Sequence, residues 1–246
     1  LFLVFLISSA GIVRAEMETI AIASNFVDVA RHLVEDFEST SDHDVTLVTG
    51  ASGRFYAQIS NGAPFDAFLS ADSEKPAELI ETGLALSDSV FTYAIGRLAL
   101  WSRDEALIQD DATALTMDGS HKIAYANPRL APYGKAALEV IKALSLLNVL
   151  EGKLVQGENI AQTYQFVFTG NADLGFVALS QILQGGTLGP GSAWVIPKSL
   201  HSPIRQNAVL LARARHNLAA NEFMRFLKMP ASRSIIRSYG YETGDS

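Results

Sequence analysis

Ser24, Asn25 and Ser52 stand where short polar loops lead from apolar segments into helical ones. Hydroxyl and amide groups at such places can donate hydrogen bonds beside the unpaired N–H groups of a helix's first turn. The aligned peptide dipoles add a partial positive charge there, so the chemistry on offer is capture of an anion without a buried cation. A fully deprotonated tetrahedral oxyanion, which needs donors alone, suits this set. Helix capping is the commoner role for a serine so placed, and for Ser24 or Ser52 taken singly it stands ahead. One hydroxyl can do both.

Catalytic signatures are not formed. Gly50-Ala51-Ser52-Gly53-Arg54 departs from G-x-S-x-G because glycine follows the serine directly. Gly134-Lys135, between Tyr133 and Ala136, is not a phosphate-binding loop. Gly185–Gly191 lacks the G-x-G-x-x-G order and reads as a β-turn. His32, His43, His121, His201 and His216 form no H-x-x-x-H pair, and each reads as a surface or capping residue rather than a metal ligand. Asp42/Asp44 and Asp110-Asp111 read as solvated loop charge. A secreted serine hydrolase using Ser52 or Ser24 has no histidine or lysine base in a recognisable motif, so a binding protein is the stronger reading.

The elements that must position these residues repeat one pattern: an apolar β-type run, a short polar loop, then a helical period. Thr19–Ala23 leads through Ser24-Asn25 into Phe26–Glu38, where Phe26, Val29, Ala30, Leu33, Val34 and Phe37 keep helical spacing. Val45–Val48 leads into a helix over Arg54–Ser60, and Phe65–Leu69 into one over Ser73–Thr82. Phe91–Trp101 predicts one long continuous strand. Further strands over Lys122–Tyr125, Lys153–Val155 and Leu174–Val177 precede helices over Gly134–Leu147, Ile160–Phe168 and Leu179–Gln184. Ala193–Ile196 and Ala208–Ala212 predict two more strands, and Leu218–Lys228 and Ala231–Tyr239 the last helices. Strands alternating with helices imply parallel sheets covered on both faces, with ligand-binding loops at the carboxyl ends of the strands. The late elements predict a chain that leaves a first lobe near Phe91–Trp101 and returns to it near Ile204–Leu211. The expected division is residues 16–98 plus 205–246 for lobe 1 and 99–204 for lobe 2, hinged about a cleft.

Composition narrows the class. The 246 residues are 48% hydrophobic and 18% charged, enough apolar content for a folded core. A formal charge of −7 argues against a nucleic-acid partner, which wants a basic face. The absence of cysteine excludes disulfides, thiol catalysis, thiolate zinc sites and thioether lipid anchors. Leu1–Val13 is apolar but shorter than a bilayer span, and Val13-Arg14-Ala15 fits a signal-peptide cleavage site, so residues 1–15 are expected to be an export leader. The expected product is periplasmic and free rather than lipid-anchored.

Longer motifs carry a resemblance. Ala23-Ser24-Asn25-Phe26, Val48-Thr49-Gly50-Ala51-Ser52-Gly53 with Tyr56-Ala57-Gln58-Ile59, and above all Asn61-Gly62-Ala63-Pro64-Phe65-Asp66-Ala67-Phe68-Leu69-Ser70-Ala71-Asp72 resemble the periplasmic molybdate-binding proteins of ABC importers. Asn127-Pro128 with Pro132-Tyr133-Gly134, Asn159-Ile160, Ala172–Val177, Phe226-Leu227 and Tyr239-Gly240-Tyr241 extend the likeness over nearly the whole chain after residue 15. It implies an α/β type II periplasmic-binding-protein fold: two lobes, mixed sheets flanked by helices, and a ligand cleft between the lobes. It also implies a monomer without a cofactor that holds molybdate, or tungstate, as the oxyanion and delivers it to a membrane permease. Sulfate is the alternative guest. By motif, Ser24 and Asn25 mark the first helix start and Ser52 the second, while Tyr133 and Ile160 supply backbone N–H groups from the second lobe. Some members place a tyrosine hydroxyl where this chain has Ala178, a loss that Asn25 is expected to offset. Asp66 and Asp72 belong to the motif, but a carboxylate repels a dianion, so their role is read as structural.

Overall fold

Two five-stranded sheets arise from these alternating runs, in a computed structural model that describes residues 17–109, 111–117 and 121–244. The leader expected at residues 1–15 lies outside the described residues, as does Asp110. The first sheet contains β1 (Met17–Ala23), β2 (Asp44–Gly50), β3 (Ala67–Leu69), β4 (Phe91–Gly96) and β12 (Ile204–Leu210), in the order β2-β1-β3-β12-β4. The second contains β5 (Leu98–Ser102), β6 (Ile123–Ala126), β7 (Leu154–Gly157), β8 (Leu174–Ala178) and β11 (Ser192–Val195), in the order β11-β5-β8-β6-β7. β1 is parallel to β2 and β3, and β6 to β7 and β8, as strand–helix alternation requires. β12 runs antiparallel to β3 and β4, and β5 antiparallel to β8 and β11, so both sheets are mixed.

Helices cover the faces by burying their apolar stripes. Leu33 and Phe37 of α1 (Val27–Glu38) pack with Ile20 and Ile22 of β1 and Phe223 of α6 (Leu218–Phe226). Ala21 on the other face of β1 joins Phe55 and Ile59 of α2 (Ser52–Ser60), beside Leu79 of α3 (Glu74–Glu81). In the second half, Val140 and Ile141 of α4 (Pro132–Ala143) cover Leu98, Leu100 and Phe176, while Val167 of α5 (Ile160–Phe168) meets Ala99, Trp101 and Val177. Each large apolar side chain so buried contributes about 1.5–3 kcal/mol. α7 (Pro230–Ser238) closes the first half against α1, with Pro230 at its first position.

Three expectations change. The run Phe91–Trp101 is two strands, because the chain passes from one sheet to the other at Arg97. The sequence does not announce this, since apolar residues continue on both sides of Gly96-Arg97. The helix expected over Leu179–Gln184 is one 3-10 turn (Leu179–Gln181), followed by a hairpin of β9 (Leu183–Gln184) and β10 (Thr187–Leu188). Gly185 and Gly186 both have positive φ (57° and 83°), which a two-residue hairpin turn of primed type demands. His43 is buried rather than exposed; its Nε2 lies 3.5 Å from a Glu222 carboxylate oxygen and its ring faces Phe37.

Candidate functional site

Four strand ends converge between the two sheets. β1 ends at Ala23 and passes directly into the turn Ser24–Phe26 that starts α1; β2 ends at Gly50, and only Ala51 separates it from Ser52, which opens α2. From the second sheet, β6 leads through Asn127–Ala131 to Tyr133 in the first turn of α4, and β7 leads to Ile160 at the start of α5. Parallel neighbours put these starts on the same edge of each sheet. The Asn159 carboxamide caps α5 by accepting from Gln162 N at 2.9 Å, and Pro132 takes the first position of α4.

One cavity gathers Ser24, Asn25, Ser52, Tyr133 and Ile160 together with Ala23, Gly50 and Asn159. The centre of a water-sized sphere can range over only about 10 Å³ of it. That is about the room of one water, and a sugar or peptide does not fit. The described residues that line it are all uncharged. Its donors are therefore dipoles: the N–H groups of Ser52, Tyr133 and Ile160, each in a first helical turn that offers no acceptor, and two serine hydroxyls. The Ser52 oxygen accepts from Ala71 N at 2.9 Å, so its own proton is free to point elsewhere. Ser24 is a buried residue whose hydroxyl has no hydrogen-bond partner among the described residues and is not fully occluded.

Asn25 is placed differently from the side-chain donor expected. Its Nδ2 donates to Gln206 Oε1 at 2.9 Å and to Tyr241 Oη at 3.0 Å, so the group left for the cavity is the backbone N–H. These bonds belong to a buried polar network under the cavity. Tyr93 donates to Gln206 Oε1 (3.1 Å), Gln206 Nε2 donates to Tyr133 Oη (3.3 Å), and Tyr241 donates to the Asn25 carbonyl (2.7 Å). Burial pushes the Tyr93 and Tyr133 hydroxyls well up and that of Tyr241 to about 12, so all three stay neutral. Sequence reasoning missed Gln206 and Tyr93. A polar residue on the apolar alternation Ile204–Gln206–Ala208 was the available signal.

Ala178 is fully buried and its N–H donates to Gln181 Oε1 at 3.0 Å, so this strand end brings no hydroxyl of its own. Asp66 accepts from Thr19 N and pairs with Arg213 at 3.0 Å, and Asp72 accepts from Lys75 N; neither lines the cavity. The halves meet across the cavity through Gly53 N donating to Leu130 O (2.9 Å), Lys135 with Glu74 (2.8 Å), and an Arg54–Glu158 ion pair. A larger groove beyond the wall Ala71–Ala131–Pro132 carries charges of both signs, including that Lys135–Glu74 pair. No histidine or lysine is bonded to either serine hydroxyl, and among the described residues no three of His, Asp or Glu gather to hold a bare cation.

A family model described as bacterial extracellular solute-binding protein matches residues 19–242. The chain is 47% identical over 223 residues to the molybdate-binding protein ModA of Rhodobacter capsulatus, an alignment covering 91% of this chain and 87% of that protein. It is 43% identical over 222 residues to ModA of Azotobacter vinelandii, covering 90% and 88%. The solved periplasmic molybdate-binding protein of Azotobacter vinelandii matches with a TM-score of 0.90 at 38% identity, covering 93% of this chain and 100% of that one. With its matching fold and its convergent helix starts, the chain belongs to the bacterial extracellular solute-binding proteins, in the family of the molybdate-binding proteins.

Proposed function

We propose that this protein binds molybdate, and tungstate with it, as the intact oxyanion between two lobes and hands it to the permease of an ABC importer. The observation that carries this reading is the small cavity on which Ser24, Asn25, Ser52, Tyr133 and Ile160 all border, with no charged lining residue. Orphan N–H groups and hydroxyls stabilise a dianion through fixed dipoles, while a guest that keeps a proton needs an acceptor. The lobes follow the two sheets, close to residues 16–98 plus 205–246 and 99–204 but with Leu98 in the second and Ile204 in the first, and closure turns on the two passages between the sheets, at Arg97 and between β11 and β12. A free monomer in the periplasm, exported by residues 1–15 and acting by binding rather than catalysis, completes the proposal; among the described residues no helix is long and apolar enough to cross a membrane.

Titration calorimetry with molybdate, tungstate, sulfate and phosphate tests it. Heat with the first two and little with phosphate is expected; heat with sulfate but none with molybdate sinks the assignment. Two serine variants refine the site. Ser24→Ala removes a hydroxyl without a protein partner, so affinity should fall about tenfold or more while thermal stability stays put. Ser52→Ala also removes the acceptor of Ala71 N, so a comparable loss of affinity should come with about 1–3 kcal/mol of lost stability. Equal thermal stability of the two variants would count against this division of labour.

A further inference from the structure

The chain near its last described residues reaches both the Asn25 turn and the passages between the sheets. Tyr241 is held in the first half by an edge-to-face contact with Phe26, ring centroids 5.3 Å apart, and by donating to the Asn25 carbonyl. The same hydroxyl lies 2.8 Å from Ser180 Oγ, which belongs to the turn after β8 in the second half. With the Tyr241 proton on the Asn25 carbonyl, Ser180 donates to Tyr241 Oη, and the same carbonyl, 3.2 Å from Ser180 Oγ, is the alternative acceptor for that proton. One residue on, Glu242 forms a two-way backbone bridge with Ile95, the last residue but one of β4. Its carboxylate lies 2.6 Å from Lys198 Nζ and 3.6 Å from an Arg97 guanidinium nitrogen. Arg97 stands in one passage between the sheets and Lys198 in the other. Next to Arg97, Gly96 leaves space that a side chain would take from Tyr133: a Cβ there would sit 2.1 Å from the Tyr133 hydroxyl. The tail thus touches the anion-binding turn, the opposite half and both passages.

We propose that Tyr241 and Glu242 form a clasp that couples closure to oxyanion capture: Tyr241 joins the Asn25 turn to Ser180 only when the halves are shut, and Glu242 ties the two passages together. The inference rests on the oxyanion reading for its ligand, but the clasp itself is a property of the ligand-free protein too. Tyr241 is a positioning residue, since its hydroxyl orders Asn25 rather than lining the cavity. A bond made only in the closed form acts on escape and not on entry, so its loss belongs in the off-rate. The carboxylate of Glu242 is partly exposed and its pairs are individually weak; its effect is on how far the halves swing.

The test uses Tyr241→Phe, Ser180→Ala, the double variant and Glu242→Gln, all in the full chain. By stopped-flow tryptophan fluorescence with molybdate, Tyr241→Phe should raise the off-rate about three- to tenfold with an unchanged on-rate. Ser180→Ala should do the same, and the double variant should add little to either. Independently, spin labels on cysteines placed at exposed Asp36 and Lys142 report the distance between halves, the chain having no cysteine of its own. Tyr241→Phe should shift the ligand-free distribution toward longer distances, and Glu242→Gln should broaden it. Additive off-rate effects with unchanged distances overturn the clasp. Should the unaltered protein give no response to molybdate, the oxyanion reading fails, and the ligand-free distances still decide for or against the clasp.

Discussion

Changing Gly134 to alanine is expected to weaken molybdate binding by about a hundredfold and to lower the melting temperature. In an exposed helix the same change stabilises, by roughly 0.5–1 kcal/mol, because glycine spends more backbone entropy on folding. Gly134 lies in the first turn of α4 with its Cα against the end of β6, where a Cβ would sit 2.1 Å from the Ala126 carbonyl oxygen and 2.6 Å from its carbon. Both atoms are backbone at the end of a strand paired on two sides, so the helix must yield. Relief to ordinary contact moves the first turn by about 1 Å. That turn carries the Tyr133 N–H into the cavity and seats its buried side chain under Gln206. Overpacking of this kind costs about 1–3 kcal/mol, and a donor displaced by 1 Å loses most of its bond to a fixed anion. Calorimetry beside a thermal melt checks both parts. Normal affinity in the variant would remove the start of α4 from the binding site.

Much of this was legible before any coordinates. Ser24 and Ser52 could be put at helix starts because loop-to-helix junctions are local: a polar loop after an apolar run, with the next helical period fixing where the first turn begins. Tyr133 and the second-half donors needed the motif, since a backbone N–H leaves no mark on residue type. What stayed hidden was long-range. Asn25 reads as a donor toward a ligand until Gln206 and Tyr241, 181 and 216 residues away along the chain, are seen to take both its N–H bonds. The break at Arg97 was hidden for another reason: two buried strands in different sheets have the same composition as one long strand. The glycine-rich turn after residue 184 was read from the sequence, but the two short strands that make Gly185-Gly186 a hairpin were not, because one of them falls where a helix was expected.

The acidic balance of the chain and the proposed anionic guest are reconciled by distance and by what lies nearest. A formal charge of −7 is spread over a solvated surface, where screening has a length of about 8–10 Å. Inside the cavity the nearest groups are N–H and O–H dipoles, and the two aspartates of the motif are tied to Arg213, Thr19 N and Lys75 N away from it. Neutral tyrosines beneath the cavity serve the same end, because an ionised phenolate there would repel the guest.

Replacing Glu18 with methionine is expected to stabilise the protein at neutral pH, and by an amount that depends on pH. Glu18 is the second residue of β1, on the face of the strand that carries Ile20 and Ile22, with no exposed surface. Neither carboxyl oxygen has a hydrogen-bond partner among the described residues. Burial first, and the nearby Asp66 charge second, push its pKa from 4.5 up to about 8. In the unfolded chain the group gives up its proton above about pH 4.5, whereas the folded protein keeps it until about pH 8. The folded state therefore binds more protons across that window, and stability falls as pH rises, by about 1.4 kcal/mol per unit, levelling off above the folded pKa. At pH 7 the accumulated cost is about 3 kcal/mol, to which the two unbonded oxygens add. Methionine fills similar space without either cost. Urea unfolding at pH 5, 6, 7 and 8 should show the variant's advantage growing with pH, while a constant difference would place the pH dependence elsewhere. Molybdate affinity should not change, because Glu18 stands six residues before Ser24 on an extended strand, about 20 Å from the cavity.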